Sequence, residues 1–329
     1  MNNMQIRQRI FTASKTFFAI ILLCIAAFSE TKHKKAASAI DFTYRKPFAI
    51  DANRFPLGSF NSVSIVQDKN KHIFIIKNFD DPEQAIHEAL GAYIGALAGI
   101  HINKVKIIPP HMHFVGKFDN CVATIHTCVP GQEVEKSPIN NNIHIRGGLT
   151  CYDHLHSLVL YDDLCSIVAL DIFLDNFDRH NGNLFFDKKS GYFYAIDMDR
   201  IFNFAFIFPG GHLKLLSAGG TMFEKRQDCL IDITKYSSVA VDAYDFLITL
   251  IDTELSSEEI RALNHLRDWL SKLLSQYSSV ELYNLWMDFA HKAQYTYVPL
   301  HKVYIQTLLD CNYTQVQRVV TQINTLIIA

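Results

Sequence analysis

Residues 169–202 read ALDIFLDNFDRHNGNLFFDKKSGYFYAIDMDRIF, and the rest of the chain is organised around them. One polar loop carries Asp178, Arg179, His180 and Asn183. An apolar run, a Lys-Lys-Ser-Gly turn and a second apolar run then lead to Asp197. Asn183 stands five residues after Asp178, and Asp197 fourteen after Asn183, with a hairpin's worth of chain between. An amide and a carboxylate returned to one place by a hairpin can hold cations that neutralise phosphate, while a further carboxylate orients an attacking hydroxyl. The layout is that of phosphoryl transfer. Ordinary turn chemistry is the competing reading, because Asn181-Gly182 is a strong hairpin-turn dipeptide. A calcium loop does not fit, since the alternating ligands and fixed glycine of an EF-hand are missing.

What favours the chemical reading is the order of features upstream. Ser62–Gln67 and His72–Phe79 flank a polar turn and predict a β-hairpin. Lys77 ends its apolar run, where it can neutralise phosphates or lie solvated on a strand. Before the hairpin, Gly58-Ser59 occupies the place of a loop that would cover phosphates with backbone N–H groups, although a lone Gly-Ser is also a plain turn. A helix follows: Asp81 caps it, Pro82 fits its first position and Gly99 ends it. Ile86, Leu90, Tyr93, Ile94 and Leu97 form its apolar stripe. Glu88 lies opposite among Ala85, Gly91, Ala92 and Gly95, small enough that this side is packed too, so the carboxylate needs a cation. Lys77 is the expected partner.

DNFDRHNGNLFFD followed by YAIDMDRIF resembles the catalytic and metal-binding loops of atypical kinases: the phosphatidylinositol 3- and 4-kinase-like group, the actin-fragmin kinases and the HipA-like kinases. About thirty residues carry the match; Lys77, Glu88 and lobe order extend it over roughly 60 to 270. Ordinary protein kinases have His-Arg-Asp and Asp-Phe-Gly where this chain has Asp178-Arg179-His180 and Asp197-Met198-Asp199. The resemblance implies an α+β, two-lobed protein-kinase-like fold, with a small β-rich N-lobe containing one helix (residues 41–135) and a larger, mainly helical C-lobe (136–329). By the same resemblance Asp178 orients or deprotonates the acceptor hydroxyl, with His180 the alternative proton handler. Arg179 either pairs a carboxylate or stabilises the transferred phosphoryl group. Asn183 and Asp197 bind magnesium; Lys77, paired with Glu88, and the Gly58-Ser59 loop hold ATP. Asp199 adds to the metal site or is a surface carboxylate.

The implied function is ATP- and magnesium-dependent transfer of a γ-phosphoryl group to a hydroxyl of a protein or phosphoinositide. The alternatives are a pseudokinase-type binding module and an AMP transferase on the same fold. The 329 residues, 49% hydrophobic and 19% charged with net charge −2, suffice for a substantial core. No dense Lys/Arg block supplies a nucleic-acid surface. Residues 1–40 differ: Arg7, Arg9 and Lys15 precede the apolar run Thr16 to Phe28, and Lys32, Lys34 and Lys35 follow it. This is the pattern of an export signal, implying a secreted protein, or of membrane attachment through residues 10–28 with the body in the cytosol. Of seven cysteines, six lie outside the apolar run, an even number that suits disulfides. The pairs His111/His113 and His154/His156 offer zinc if each shares a strand face. Leu155 to Leu174 reads as one apolar helix. Residues 200–231 read as an irregular docking segment before further helices.

Overall fold

The computed structural model describes residues 48–49, 62–67, 70–79, 81–108, 122–202, 205–207, 213–215, 236–295 and 299–328. Residues 1–40, the Gly58-Ser59 loop, His111, His113, three of the cysteines and most of 200–231 lie outside them. All described residues belong to one compact unit, 45–329.

Strands β1 (Phe48–Ala49), β2 (Ser62–Gln67), β3 (Ile73–Phe79), β4 (Val105–Ile108) and β5 (Val122–Thr127) form an antiparallel sheet in the order β1-β2-β3-β5-β4. The register sets Lys77 of β3 between Val63 and Thr124. Against this sheet lies α1 (Pro82–Ala98). Asp81 caps it by accepting the Glu83 N–H at 2.9 Å, and Gly99 closes it at φ 84°, a left-handed conformation that glycine adopts without strain. Small residues let α1 bury both its apolar stripe and the side carrying Glu88. Gly91 is essential to that approach, because a Cβ there would lie 2.7 Å from Met198 Cβ.

The remainder is mostly helical. In place of one helix over 155–174 there are two, α2 (Tyr152–Leu160) and α3 (Leu164–Leu174). The break at Tyr161-Asp162-Asp163 has a tertiary cause: Asp163 Oδ2 accepts the Phe193 N–H at 2.8 Å. Every residue of α3 is buried, whereas α2 exposes Tyr152, His156 and Leu160. Strands β6 (Gln132–Glu133), β7 (Leu184–Asp187) and β8 (Tyr192–Ala195) make a second antiparallel sheet. A third comprises β9 (Ala205–Ile207), β10 (Leu213–Leu215) and β11 (Tyr236–Ser237). Helices α4 (Val239–Thr249), α5 (Ser257–Gln276), α6 (Ser279–Lys292) and α7 (Pro299–Ile328) complete the described residues; a capping box at Ser256/Glu259 opens α5, and another at Ser278/Glu281 opens α6. Helix α3 packs on α5, and α7 packs on α4, α5 and α6.

Two expectations are corrected. His154 and His156 sit on α2, not on a strand, so successive directions separate them: His154 is buried with Nδ1 3.1 Å from Gly148 O, and His156 is exposed. The described cysteines, Cys128, Cys151, Cys165 and Cys311, are all free thiols. Among the described residues no helix is long and apolar enough to cross a membrane.

Candidate active site

Sheet, helix and central loop meet at Lys77. Its Nζ lies 3.0 Å from Glu88 Oε2 and 2.7 Å from Asp197 Oδ1. Strand β3 supplies the lysine, α1 the glutamate, and the turn after β8 the aspartate. The Glu88 side chain is fully buried, while that of Asp197 keeps 31% of its surface exposed, so the trio opens to solvent through Asp197. Burial alone would drive Lys77 towards neutrality, but the charges of Glu88, Asp197 and Asp199 outweigh it and hold the ammonium firmly protonated. Burial would likewise raise Asp197, yet the Lys77 ammonium wins and holds that carboxyl at about 2. Glu88 is pushed up by burial and held down first by Lys77 and then by the nearby Met198 N–H. Among the described residues its Oε1 has no hydrogen-bond partner; it faces His126 Nδ1 at 3.6 Å. Burial keeps His126 neutral, and Asn103 Nδ2 and Thr124 Oγ1 occupy its ring nitrogens at 2.9 and 2.6 Å.

The loop after α3 is built on Arg179. Its Nε and Nη2 hold Asp171 Oδ2 and Oδ1 at 2.9 and 3.1 Å, and Nη1 donates to the carbonyls of Asn183 and Ile196 at 2.8 and 2.7 Å. Nη2 also approaches Met198 Sδ at 3.0 Å. Of the two roles expected for Arg179, pairing a carboxylate is the one found. A guanidinium with no exposed surface and every N–H engaged cannot reach a phosphoryl group, so its assignment as a catalytic residue is corrected to a positioning one. Its bonds fasten the Asn183 backbone to the chain entering Asp197, drawing the two expected metal-binding residues together.

Asn183 stands in a 3-10 turn, Asn181–Asn183, rather than in a tight hairpin turn. Its Nδ2 donates to Asp178 O at 3.1 Å, which leaves Oδ1 for another partner. Asn181 Nδ2 ties the turn to Asn140 Oδ1 and Ile143 O, each at 2.7 Å. Asp178 is half-buried; burial first and the charge of Asp197 second raise its carboxyl. His180 is exposed, and its Nδ1 accepts the Gly182 N–H at 3.0 Å, so the neutral ring carries its proton on Nε2. Gly58 and Ser59 lie outside the described residues.

Several supporting residues escaped the sequence reading. Asp171 and Asn176 are buried polar side chains joined at 2.8 Å, and Asn176 Oδ1 accepts the Asp178 N–H at 3.3 Å. A signal existed: Asp171 is the single charge inside an apolar helix eight residues before Arg179, where it requires a cation. Asp199 is buried, not a surface carboxylate, and burial, Asp197 and Glu88 push it up to about 8. Glu88, Asp197 and Asp199 each offer a carboxylate oxygen within 4.8 Å of the others. Three carboxyl groups crowded around one ammonium, with Asp199 pushed up by the charge of the other two, are hard oxygen donors that a magnesium ion would suit.

No protein-family model matches the chain, and no curated protein sequence matches it. Among solved structures, the proinflammatory kinase CtkA of Helicobacter pylori superposes with TM-score 0.51 at 15% identity, over 87% of this chain and 98% of that one. HipA of the toxin–antitoxin system of Shewanella oneidensis MR-1, in complex with HipB and operator DNA, gives TM-score 0.42 at 12% identity, over 88% of this chain and 75% of that one. The chain has an atypical-kinase-like fold of the two-lobed α+β class.

Proposed function

We propose that this protein is a kinase that transfers the γ-phosphoryl group of ATP to a hydroxyl of a polypeptide. The observation that carries this reading is the placement of Lys77 between Glu88 and Asp197, with Asn183 and Asp178 on the loop that Arg179 fastens to the same turn. Lys77, kept cationic by its carboxylate neighbours, binds phosphate oxygens of ATP. Glu88, bonded to Lys77 on one side as Asp197 is on the other, keeps that lysine beside the Asp197 turn. Magnesium would be held by Asp197 and the Asn183 amide, with Asp199 beside them, and would supply charge neutralisation on the phosphates. Asp178 orients the acceptor and takes its hydroxyl proton. The acceptor oxygen then bonds to the γ-phosphorus as the bond to the β–γ bridging oxygen breaks, releasing ADP. Asp178 suits that role better than His180, since burial raises its basicity and His180 Nδ1 is already engaged.

The test uses the full chain with magnesium, a protein and phosphoinositide acceptor mixture, and ATP labelled at the γ or the α position. Transfer of γ label to protein is expected, falling by about a thousandfold in Asp197→Ala, as loss of several kcal/mol of charge stabilisation would produce. Label arriving from the α position instead would make the protein an AMP transferase. Stabilisation by ATP without transfer would make it a pseudokinase.

A further inference from the structure

Beside the loop bearing Asp178 the structure holds a cavity of about 590 Å³ whose walls include Arg146, Phe177, Val239, Asp242, Asp245 and Phe246. That volume lies within the range of ligand sites, roughly 300–1,000 Å³. Phe177 precedes Asp178 directly, so their Cα atoms are about 3.8 Å apart across one peptide. The neighbouring wall residue Gly147 donates its N–H to Arg179 O at 3.0 Å. The cavity is thereby tied on two sides to the loop that handles the acceptor.

Its chemistry is asymmetric. Phe177, Val239 and Phe246 line it with apolar surface, Asp242 and Asp245 come from the first two turns of α4, and Arg146 is the single cation among the described lining residues. Burial first, and the Asp245 charge second, push the Asp242 carboxyl up, so the two carboxyl groups feel each other's charge and two acids stand against one cation in the described lining. Apolar side chains together with two carboxylates in one lining suit a group with a long aliphatic stem and a cationic head, as arginine and lysine have. We propose that this cavity seats an arginine or lysine side chain of the acceptor polypeptide, close in sequence to the hydroxyl-bearing residue, and so selects basic segments. This rests on the kinase reading for the word acceptor; the binding itself does not.

The experiment is therefore a binding measurement that needs no transfer. Fluorescent serine-containing peptides, identical except for arginine or its uncharged isostere citrulline two or three residues from the serine, are titrated into the full chain. The arginine peptide is expected to bind at least about tenfold tighter, with the difference shrinking as salt is raised. Asp242→Asn/Asp245→Asn should erase the difference, Asp242→Lys/Asp245→Lys should favour a glutamate peptide, and Asp268→Asn should leave it intact. Equal affinity for the two peptides, or a preference that survives in the double asparagine variant, overturns the proposal. Binding of free spermidine as tight as that of the peptide overturns the polypeptide assignment. Failure of γ-label transfer in the earlier test would remove the kinase reading and leave these binding outcomes standing.

Discussion

Arg179 shows how one side chain can be indispensable to a site without touching what reacts there. A guanidinium has five N–H donors, and the protein engages all of them: two with Asp171, two with backbone carbonyls, one with the Met198 sulfur. Removing it leaves Asp171 buried and uncompensated, a loss of about 3–5 kcal/mol. Arg179→Lys keeps the charge but not the fork, and about 2 kcal/mol of stability should still be lost because two acceptors go unsatisfied. Urea midpoints read this directly. If Arg179→Lys unfolds at the parent's midpoint yet transfers no phosphate, the guanidinium acts on the phosphoryl group and the positioning role is wrong. The sequence left these two roles open for a physical reason: Arg179 shows its charge, but only the packing of α3 shows that Asp171 has no other cation among the described residues.

At the scale of elements, the contact between α1 and the Asp197-Met198-Asp199 turn is what aligns the site, and Gly91 sets its distance. Alanine would favour the helix by roughly 0.5–1 kcal/mol. Against that, the added Cβ would stand 2.7 Å from Met198 Cβ, closer than packing tolerates, and overpacking costs about 1–3 kcal/mol. Gly91→Ala should therefore shift α1 away from the Asp197-Met198-Asp199 turn, displace Glu88 from Lys77 and reduce the thermal stabilisation given by ATP. Gly191→Ala is the control. Its φ of 78° makes it comparably strained, but its Cβ would meet nothing within 4 Å, so ATP stabilisation should persist. An equal loss in both variants would mean that the approach of α1 does not govern nucleotide binding. Much of this element was legible beforehand: the caps at Asp81 and Gly99 and the small residues around Glu88 all announce a helix packed on two sides. The division of α2 from α3 was not, for no glycine or proline marks it. The acceptor that stabilises the break, Asp163, finds its donor at Phe193, thirty residues downstream.

Across the whole molecule, α1 is fastened at both ends to the C-terminal part of the chain, at one end through the segment that follows α6 and at the other through α5. Near its start Tyr295 OH donates to Glu83 Oε1 at 3.0 Å; at its end Lys272 Nζ of α5 donates to Ala98 O at 2.7 Å, and Tyr93 packs against Phe289 between them. The helix carrying Glu88 is thus held by the same body that carries the central loop. This arrangement has a pH signature. Burial first, and the charge of Asp81 second, raise Glu83 from 4.5 to about 7, with the Tyr295 hydroxyl opposing them. Because the folded chain binds this proton more tightly than the unfolded chain, the contribution is fully present below pH 4.5 and is lost as pH rises through about 7. The loss is on the order of 2–3 kcal/mol. Asp197 acts in a separate window, since its depressed carboxyl removes stability only as pH falls from 3.8 towards 2. Urea unfolding between pH 5 and 8 should show stability declining in the parent, with a distinctly shallower slope in Glu83→Gln, whose amide still accepts from Tyr295 but does not ionise. A slope unchanged by Glu83→Gln would place the titrating proton elsewhere and leave the Glu83–Tyr295 bond without a measurable part in holding α1 to the C-terminal part of the chain.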